Sequence, residues 1–422
     1  MPRAQRERAA VVGSGISGLT AAYVLQQRYD VTLYEAADRL GGHSDTHDVL
    51  TPDAGVVPID TGFIVHNQRT YPLLCRLFSE LGVETQPTEM SMSIRCEGCG
   101  LEYAGAKGFG GVFAQPRSLT NPKFLRLLTQ IPRFYREAQA VQERGDDDAT
   151  LGEFLTHGQY SGYFTSHFVV PLVSCVWSVS PGAALEFPAR YLFTFLNNHG
   201  MLSVSGSPTW RTVVGGSRTY VDKVAKGLST VSTTTPVRAI VEQLTGVEIR
   251  TDDDQGIVFD HVVIATHADT ALSLLARPSP TQRHVLGAFH YSSNETWLHT
   301  DTSLLAQSKR ARSAWSFTLA SCTAASDHAV VSYDLNRLQG IASTQSHVVT
   351  LNATERIDPE RVVDRMTYDH PIYTTSALSA QRRLVELGGP RLAFAGAYHG
   401  WGFHEDGCRS GIAAASSLGA EW

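Results

Sequence analysis

The chain has 422 residues, beyond the size at which one hydrophobic core keeps growing, so two lobes are expected. Its composition, 42% hydrophobic and 18% charged, is that of an ordinary globular protein, and a formal charge of -6 with no Lys/Arg cluster or stripe argues against nucleic-acid binding. No apolar stretch reaches the length of a membrane span, the nearest (168–177) being interrupted by Pro171, and no apolar signal region precedes the first strand; the expected location is cytoplasmic, with a peripheral membrane contact left open.

The first predicted element is an apolar strand ending in Gly13-Ser14-Gly15-Ile16-Ser17-Gly18. A helical stretch follows, then a second apolar run that stops at Glu35, 20 residues past Gly15. In such a strand, turn, helix and strand, Gly13 permits the tight turn, Gly15 leaves room for a pyrophosphate beside bare backbone, and Gly18 lets helix and strand pack closely. The helix N-terminus faces the phosphates with unpaired N–H groups, and Glu35 takes the ribose hydroxyls. This fingerprint fits any adenosine diphosphate, NAD or FAD alike. Arg39-Leu40-Gly41-Gly42, just beyond the acidic strand end, offers a second close backbone approach and suits the longer ligand, FAD.

Further along, 57–63 reads as a short strand and turn, and 71–81 as a helix with Leu73, Leu74, Leu77, Phe78 and Leu81 spaced for one face. Cys96-Glu97-Gly98-Cys99 sits at the tip of a predicted hairpin. A zinc site needs about four ligands, and with no matching pair evident elsewhere the two thiols are expected simply to flank a turn, with no metal. Residues 121–200 are mostly helical, starting at an Asn121-Pro122 cap and broken at Asp146-Asp147-Asp148. A strand, 210–214, leads through Gly215-Gly216-Ser217 into a helix. Pro236-Val237-Arg238 starts a strand pair with Asp252-Asp253-Asp254 at its tip, and 260–266 is a buried strand. Alternation over 285–352 predicts a mixed or antiparallel sheet, and 391–395 is a last strand before a glycine-punctuated loop and a small-residue helix.

In order, these motifs resemble the flavin-containing amine oxidase and protoporphyrinogen oxidase superfamily. The opening fingerprint is matched by Gly13, Gly15, Gly18, Glu35, Arg39, Gly41 and Gly42, the following turn by Ile59-Asp60-Thr61-Gly62, and the Gly-Gly turn by Gly215-Gly216. The Pro-Val whose backbone meets the adenine is matched by Pro236-Val237, and the flavin-closing segment by Ala395-Gly396, Gly402-Phe403-His404-Glu405 and Gly407 to Gly411. The resemblance implies an α/β fold: a Rossmann-like FAD-binding domain of the glutathione reductase type (1–80, 210–270 and 385–422) with an inserted α+β substrate domain (81–209 and 271–384). It implies FAD contacts from Ser14, Ile16, Ser17, Ala36, His43, Thr61, Gly62, Phe63, Ile64, Thr266, Gly396, Phe403, His404 and Glu405, besides the glycines, Glu35, Arg39 and Pro236-Val237.

Trp177 in PLVSCVWS, Asn197-Asn198-His199-Gly200, the 333–338 run and GAYHGWGFHEDGCRSG resemble, more narrowly, a bacterial branch of FAD-dependent oxidoreductases encoded beside cyclopropane fatty acid synthase-like enzymes. Two departures stand out. His43 occupies a position where the superfamily commonly has a pyrophosphate-neutralising Arg, which leaves a weaker, pH-dependent cation there. No lysine occurs in 288–300, where amine oxidases commonly hold one near the flavin.

The expected function is that of an FAD-dependent oxidoreductase taking hydride from a C–H bond of a hydrophobic substrate, with an unsaturated or modified fatty acyl chain as the candidate. The alternatives are a flavin-dependent isomerase with no net redox change, an amine oxidase, or a non-catalytic flavoprotein partner of a lipid-modifying enzyme. The residues expected nearest the chemistry are Tyr398, His399, Trp401 and Phe403 in the closing loop, together with His199; Arg337 is a candidate anchor for an anionic head group.

Overall fold

A computed structural model describes residues 6–144, 149–203, 206–252, 256–323 and 328–422. The expected break at Asp146-Asp147-Asp148 and the residues Asp253 and Asp254 lie outside them.

The first lobe is built on a five-stranded parallel sheet in the spatial order Thr230–Ser232, Asp30–Tyr34, Arg8–Val12, His261–Ile264, Leu392–Phe394. A parallel sheet is covered on both faces, so its strands read as continuous apolar runs, and Ala9, Ala10, Val11, Val262, Val263 and Ile264 are all fully buried. On one face the helices Ile16–Leu25 and His404–Ser417 lie against each other. Their approach depends on missing side chains: a Cβ on Gly407 would press on Ile16 and Ser17, and one on Gly411 on the backbone of Ser17 and Ala21. The two glycine-rich ends of the sequence thus meet in space.

The other face corrects the expected domain boundaries. Ala268, Ala271, Val285, Leu286, Ala377 and Ala380 pack in one cluster with Ala10, Val12, Val262 and Ile264. Residues 271–289 and 375–384 therefore belong with the parallel sheet, which needs cover that the helices at 16–25 and 404–417 cannot give. Conversely, the hairpin Thr46–Thr51 and Gly55–Asp60 sends Val49 and Ile59 to Leu298, Leu335 and Val349 of the second lobe. The expected strand pair after Pro236 is a three-stranded sheet, Val237–Glu242, Val247–Thr251 and Gly256–Phe259. Its first turn closes where Gln243 N–H donates to the Gly246 carbonyl (2.9 Å), so the acidic run follows the second strand.

The second lobe holds a seven-stranded, mainly antiparallel sheet: Val362–Ile372, His290–His299, Val348–Leu351, Val330–Asp334, Trp315–Leu319, Met92–Cys96, Glu102–Ala104. A helical layer covers it, beginning at Pro122–Arg144, where Asn121 Oδ1 accepts from the N–H groups of Lys123 (3.1 Å) and Phe124 (3.2 Å). Phe134 anchors this layer, with ring centroids 5.6 Å from Phe193 and 5.7 Å from Phe164. These rings share a core with Ile94, Phe317 and Val331 of the sheet. Among the described residues no helix is long and apolar enough to cross a membrane.

The Cys96/Cys99 turn departs from expectation. The hairpin is present, Met92–Cys96 pairing antiparallel with Glu102–Ala104, but the two thiols are not alone: His167 and Cys322 converge on them from distant parts of the chain.

Candidate active site

Gly13 stands at φ +99°, a region closed to most side chains, and a Cβ there would lie 2.8 Å from the Ala265 carbonyl oxygen. A Cβ on Gly18 would overlap the Gly13 carbonyl. Gly15 is the opposite case, since a Cβ there would meet nothing within 4 Å. The gap opens at the N-terminus of the helix Ile16–Leu25, whose first turn receives no side-chain cap. Bare N–H groups, the positive end of a helix dipole and an open space make an anion cradle. Glu35 is held beside it: Oε2 accepts from Ser14 N–H (2.9 Å) and from the Ser14 hydroxyl (2.5 Å), and Oε1 accepts from Ala37 N–H (2.9 Å).

From this turn a cavity of about 510 Å³ runs between the two lobes. Gly13, Ser14, Gly15, Ile16, Ser17, Glu35, Ala36, Gly41, Gly42, His43, Thr61, Gly62, Phe63, Ile64, Thr266, Gly396, Phe403 and His404 line it, with Tyr398. Phe63 and His404 stack at 3.6 Å, and His404 Nε2 lies 3.0 Å from the Ser44 hydroxyl. Beyond them the wall is Met90, Val176, Trp177, Phe195, Met201, Trp210, Trp315, Tyr333 and Leu351. The Phe403 ring is 4.7 Å from Phe195 and 5.9 Å from Trp177. Among the described residues, two carboxylates line the cavity, Glu35 and Asp369, and no lysine or arginine does.

Several expected site residues lie elsewhere. Gly18 packs behind the turn. Arg39 is tied down by Asp45 (2.9 Å) and the Gly42 carbonyl (2.9 Å). Pro236 and Val237 do not line the cavity, although Thr235 and Thr234 just before them donate backbone N–H to the carbonyls of Glu35 and Ala37 (2.9 and 2.8 Å). Glu405 points away from it, accepting the N–H groups of Leu73 (3.1 Å) and Leu74 (3.0 Å), two of the orphan donors that open the helix Pro72–Glu80. His199 Nδ1 donates to the Phe195 carbonyl (2.9 Å) and the imidazole stacks on the Phe195 ring, one layer behind the wall. His399 and Trp401 are likewise outside; the Trp401 carbonyl accepts from Trp177 Nε1 (3.0 Å), which fixes the closing loop to the wall. Arg337 is paired with Glu89 (2.8 Å) and Asp334 (3.3 Å) and is no anchor for a substrate head group.

The expectation of a pH-dependent cation at His43 fails for an electrostatic reason. Burial, then the neighbouring His370 and His267, push its pKa well below the ordinary value, and burial also takes His370 to about 4 and His404 to about 3. These imidazoles are neutral. His267 and His370, whose rings lie 6.1 and 5.4 Å from His43, carried no sequence signal, because single histidines in strands and turns have none. The Tyr398 hydroxyl, in a residue of the cavity wall, has no hydrogen-bond partner among the described residues. A buried donor of this kind is normally satisfied, and Tyr398 lines the cavity, so its hydroxyl is a candidate hydrogen-bond donor to what the cavity holds.

Residues 16–339 match the family described as flavin containing amine oxidoreductase. The chain belongs to this family. Flavin cofactor and oxidoreductase activity follow from membership, and the open Gly15 cradle beside Glu35 fits the adenosine diphosphate half of FAD. No curated protein sequence matches the chain. Among solved structures it is similar to a putrescine oxidase triple mutant redesigned in its cofactor binding, with 16% identity, TM-score 0.72, and 98% of each chain covered. It is also similar to cyclohexylamine oxidase from Brevibacterium oxydans IH-35A (17% identity, TM-score 0.70, 98% of each chain). A protein named as a protoporphyrinogen oxidase from Exiguobacterium sp. 255-15 shows 15% identity and TM-score 0.67, again over 98% of each chain. At these identities the likeness is one of fold.

Proposed function

We propose that this FAD-dependent oxidoreductase removes hydride from a C–H bond of an apolar substrate, with an unsaturated or modified fatty acyl chain as the substrate class. The observation that carries the reading is the wall of Val176, Trp177, Phe195, Met201, Trp210, Trp315 and Leu351, in a cavity that no lysine or arginine among the described residues lines. Such a wall offers an alkyl chain dispersion and dehydration, and gives a free carboxylate no cationic partner; the acyl group is accordingly bound as an ester or with its head outside. When bound, FAD supplies the hydride acceptor. The chain's own residues orient the substrate against the wall that Phe403 and Trp177 form together, exclude water, and offer the Tyr398 hydroxyl as a hydrogen-bond donor.

Amine oxidation is the second reading, favoured by the putrescine and cyclohexylamine oxidases among the structural neighbours. Against it stands the absence of lysine from the cavity lining among the described residues. Anaerobic stopped-flow spectra of the FAD-loaded protein separate the two. Bleaching by phospholipid-bound unsaturated or cyclopropane acyl chains, and not by putrescine or cyclohexylamine, supports the proposal. Bleaching by the amines alone overturns it.

A further inference from the structure

Four metal-ligating side chains converge outside the flavin cavity. Cys96 ends the strand Met92–Cys96, Cys99 lies in the turn after it, His167 sits in the helical segment Thr165–Val169, and Cys322 lies just beyond the strand Trp315–Leu319. One ligand atom from each comes within 4.8 Å of all the others. The Sγ atoms of Cys96 and Cys322 are 3.9 Å apart, and Cys99 Sγ is 3.6 Å from His167 Nε2. A tetrahedron with Zn–S of about 2.3 Å and Zn–N of about 2.0 Å has S···S edges near 3.8 Å and S···N edges near 3.5 Å. The sulfurs are too far apart for a disulfide, which needs about 2.05 Å.

The surroundings match a metal site as well. His167 Nδ1 faces the Tyr163 carbonyl (3.2 Å) and the Ser166 hydroxyl (2.8 Å), so donation to that carbonyl leaves the Nε2 lone pair directed at the cysteines. The Tyr163 ring stacks on the imidazole at 3.8 Å and fixes its plane. In the turn, a Cβ on Gly98 would stand 3.0 Å from Ser321 Cα, so the glycine is what lets the Cys322 loop lie against the Cys96/Cys99 turn.

We propose that Cys96, Cys99, Cys322 and His167 form a closed Cys₃His site for Zn²⁺. On binding, the three S–H bonds break with loss of three protons to solvent, and three thiolates and one neutral imidazole complete the tetrahedron; no electrons are transferred. With all four positions taken by protein, the ion is structural. It cross-links three elements that otherwise meet through the pairing of Met92–Cys96 with Trp315–Leu319, the hydrogen bond from the Tyr103 hydroxyl to the His167 carbonyl (2.7 Å) and packing. The His167 segment continues into Val170–Trp177, which brings Cys175, Val176 and Trp177 to the cavity, and the strand leading to Cys322 carries Trp315. The site thus pins, from behind, two parts of the wall that faces the flavin.

The test uses the full-length, FAD-loaded protein isolated with thiol reductant and without chelator. Metal analysis is expected to find one zinc per chain. Exchange for Co²⁺ is expected to give the intense d–d bands of a tetrahedral thiolate site, to the red of the flavin absorption. Cys99→Ser and His167→Gln are each expected to weaken zinc retention roughly tenfold or more in competition with a chelator. Because a variant can fail to fold, the Co²⁺ spectrum of the unaltered chain stands as the independent criterion. The proposal is overturned if the reduced chain neither contains zinc nor acquires zinc or Co²⁺ when offered, if Cys99→Ser holds zinc as tightly as the parent, or if rapid alkylation in cells reveals a Cys96–Cys322 disulfide. None of these outcomes depends on the proposed substrate.

Discussion

Gly15→Ala separates a cofactor role for the first turn from a purely structural one. Gly15 has φ -63° and ψ 175°, which alanine adopts without strain, and its Cβ would touch no protein atom within 4 Å. In the flavin-free protein the change is therefore expected to be neutral or to stabilise by about 0.4–1 kcal/mol, through a less flexible unfolded chain. The same methyl projects into the cradle at the helix N-terminus and pushes a phosphate off its N–H donors. Loss of one charge-assisted hydrogen bond is worth about 1.5–3 kcal/mol, or roughly a 10- to 150-fold rise in Kd for FAD. Denaturant unfolding of the flavin-free protein and quenching of flavin fluorescence during FAD titration measure the two effects independently. Unchanged FAD affinity in Gly15→Ala would refute the placement of the pyrophosphate. Gly18→Ala is the control, since its Cβ collides with the Gly13 carbonyl and should destabilise the fold whether or not FAD is present.

Three further outcomes are expected. Glu405→Ala removes the acceptor of two N–H groups at the start of Pro72–Glu80 and should cost about 1–2 kcal/mol in unfolding free energy while leaving FAD affinity at the parent value; a selective loss of FAD binding would return Glu405 to the cofactor site. Tyr398→Phe deletes a hydroxyl with no partner among the described residues, so flavin-free stability should hold within about 0.5 kcal/mol, while FAD affinity or the rate of flavin reduction falls about fivefold; no change in either would mean the hydroxyl meets no ligand. Burial raises the pKa of Asp60 from 3.8 to about 6, against hydrogen bonds from Thr46 and Ser217. A carboxyl whose folded-state pKa is raised contributes stability that is fully present below pH 3.8 and is lost as the pH climbs through 6, a swing of about 3 kcal/mol. Other buried groups titrate in the same window, so the test is the difference in unfolding free energy between the parent and Asp60→Asn: it should fall by about 3 kcal/mol as the pH rises from below 3.8 to above 6, and a pH-independent difference would sink the assignment.

How much of the site was legible follows from how tightly each part constrains its residues. The phosphate turn was readable because Gly13 and Gly18 have no room for a side chain, Gly15 keeps the space at the helix N-terminus open, and the acid at the strand end sits at a fixed distance from them. Glu405 was misread for the opposite reason: its place in the closing motif puts it beside the cavity, but only the structure says which way a carboxylate at the start of a helix turns. It turns toward Leu73 and Leu74, a helix that the 71–81 periodicity located but whose docking partner it could not name. Cys96 and Cys322 are 226 residues apart, with His167 between them on a third element. Metal-ligand spacing along a chain reveals only ligands that share a turn or a helix, and here one CxxC was all that spacing could show.

The aromatic wall was hidden by a different ambiguity. Trp177 and Phe195 come from the helical layer, Trp315 and Tyr333 from the seven-stranded sheet, and each packs on neighbours that belong to the same core as Phe134 and Phe317. The residue types that fill a core and those that line an apolar cavity are the same, because both need large, dry surfaces. What distinguishes them is whether the two lobes close against each other at that point or leave a gap, which depends on how a helix such as Val170–Trp177 is anchored at its far end. That anchor is the His167 segment. If the ion proposed there is removed, the geometry of the wall should loosen while the phosphate cradle, which rests on the other lobe, keeps its grip on FAD.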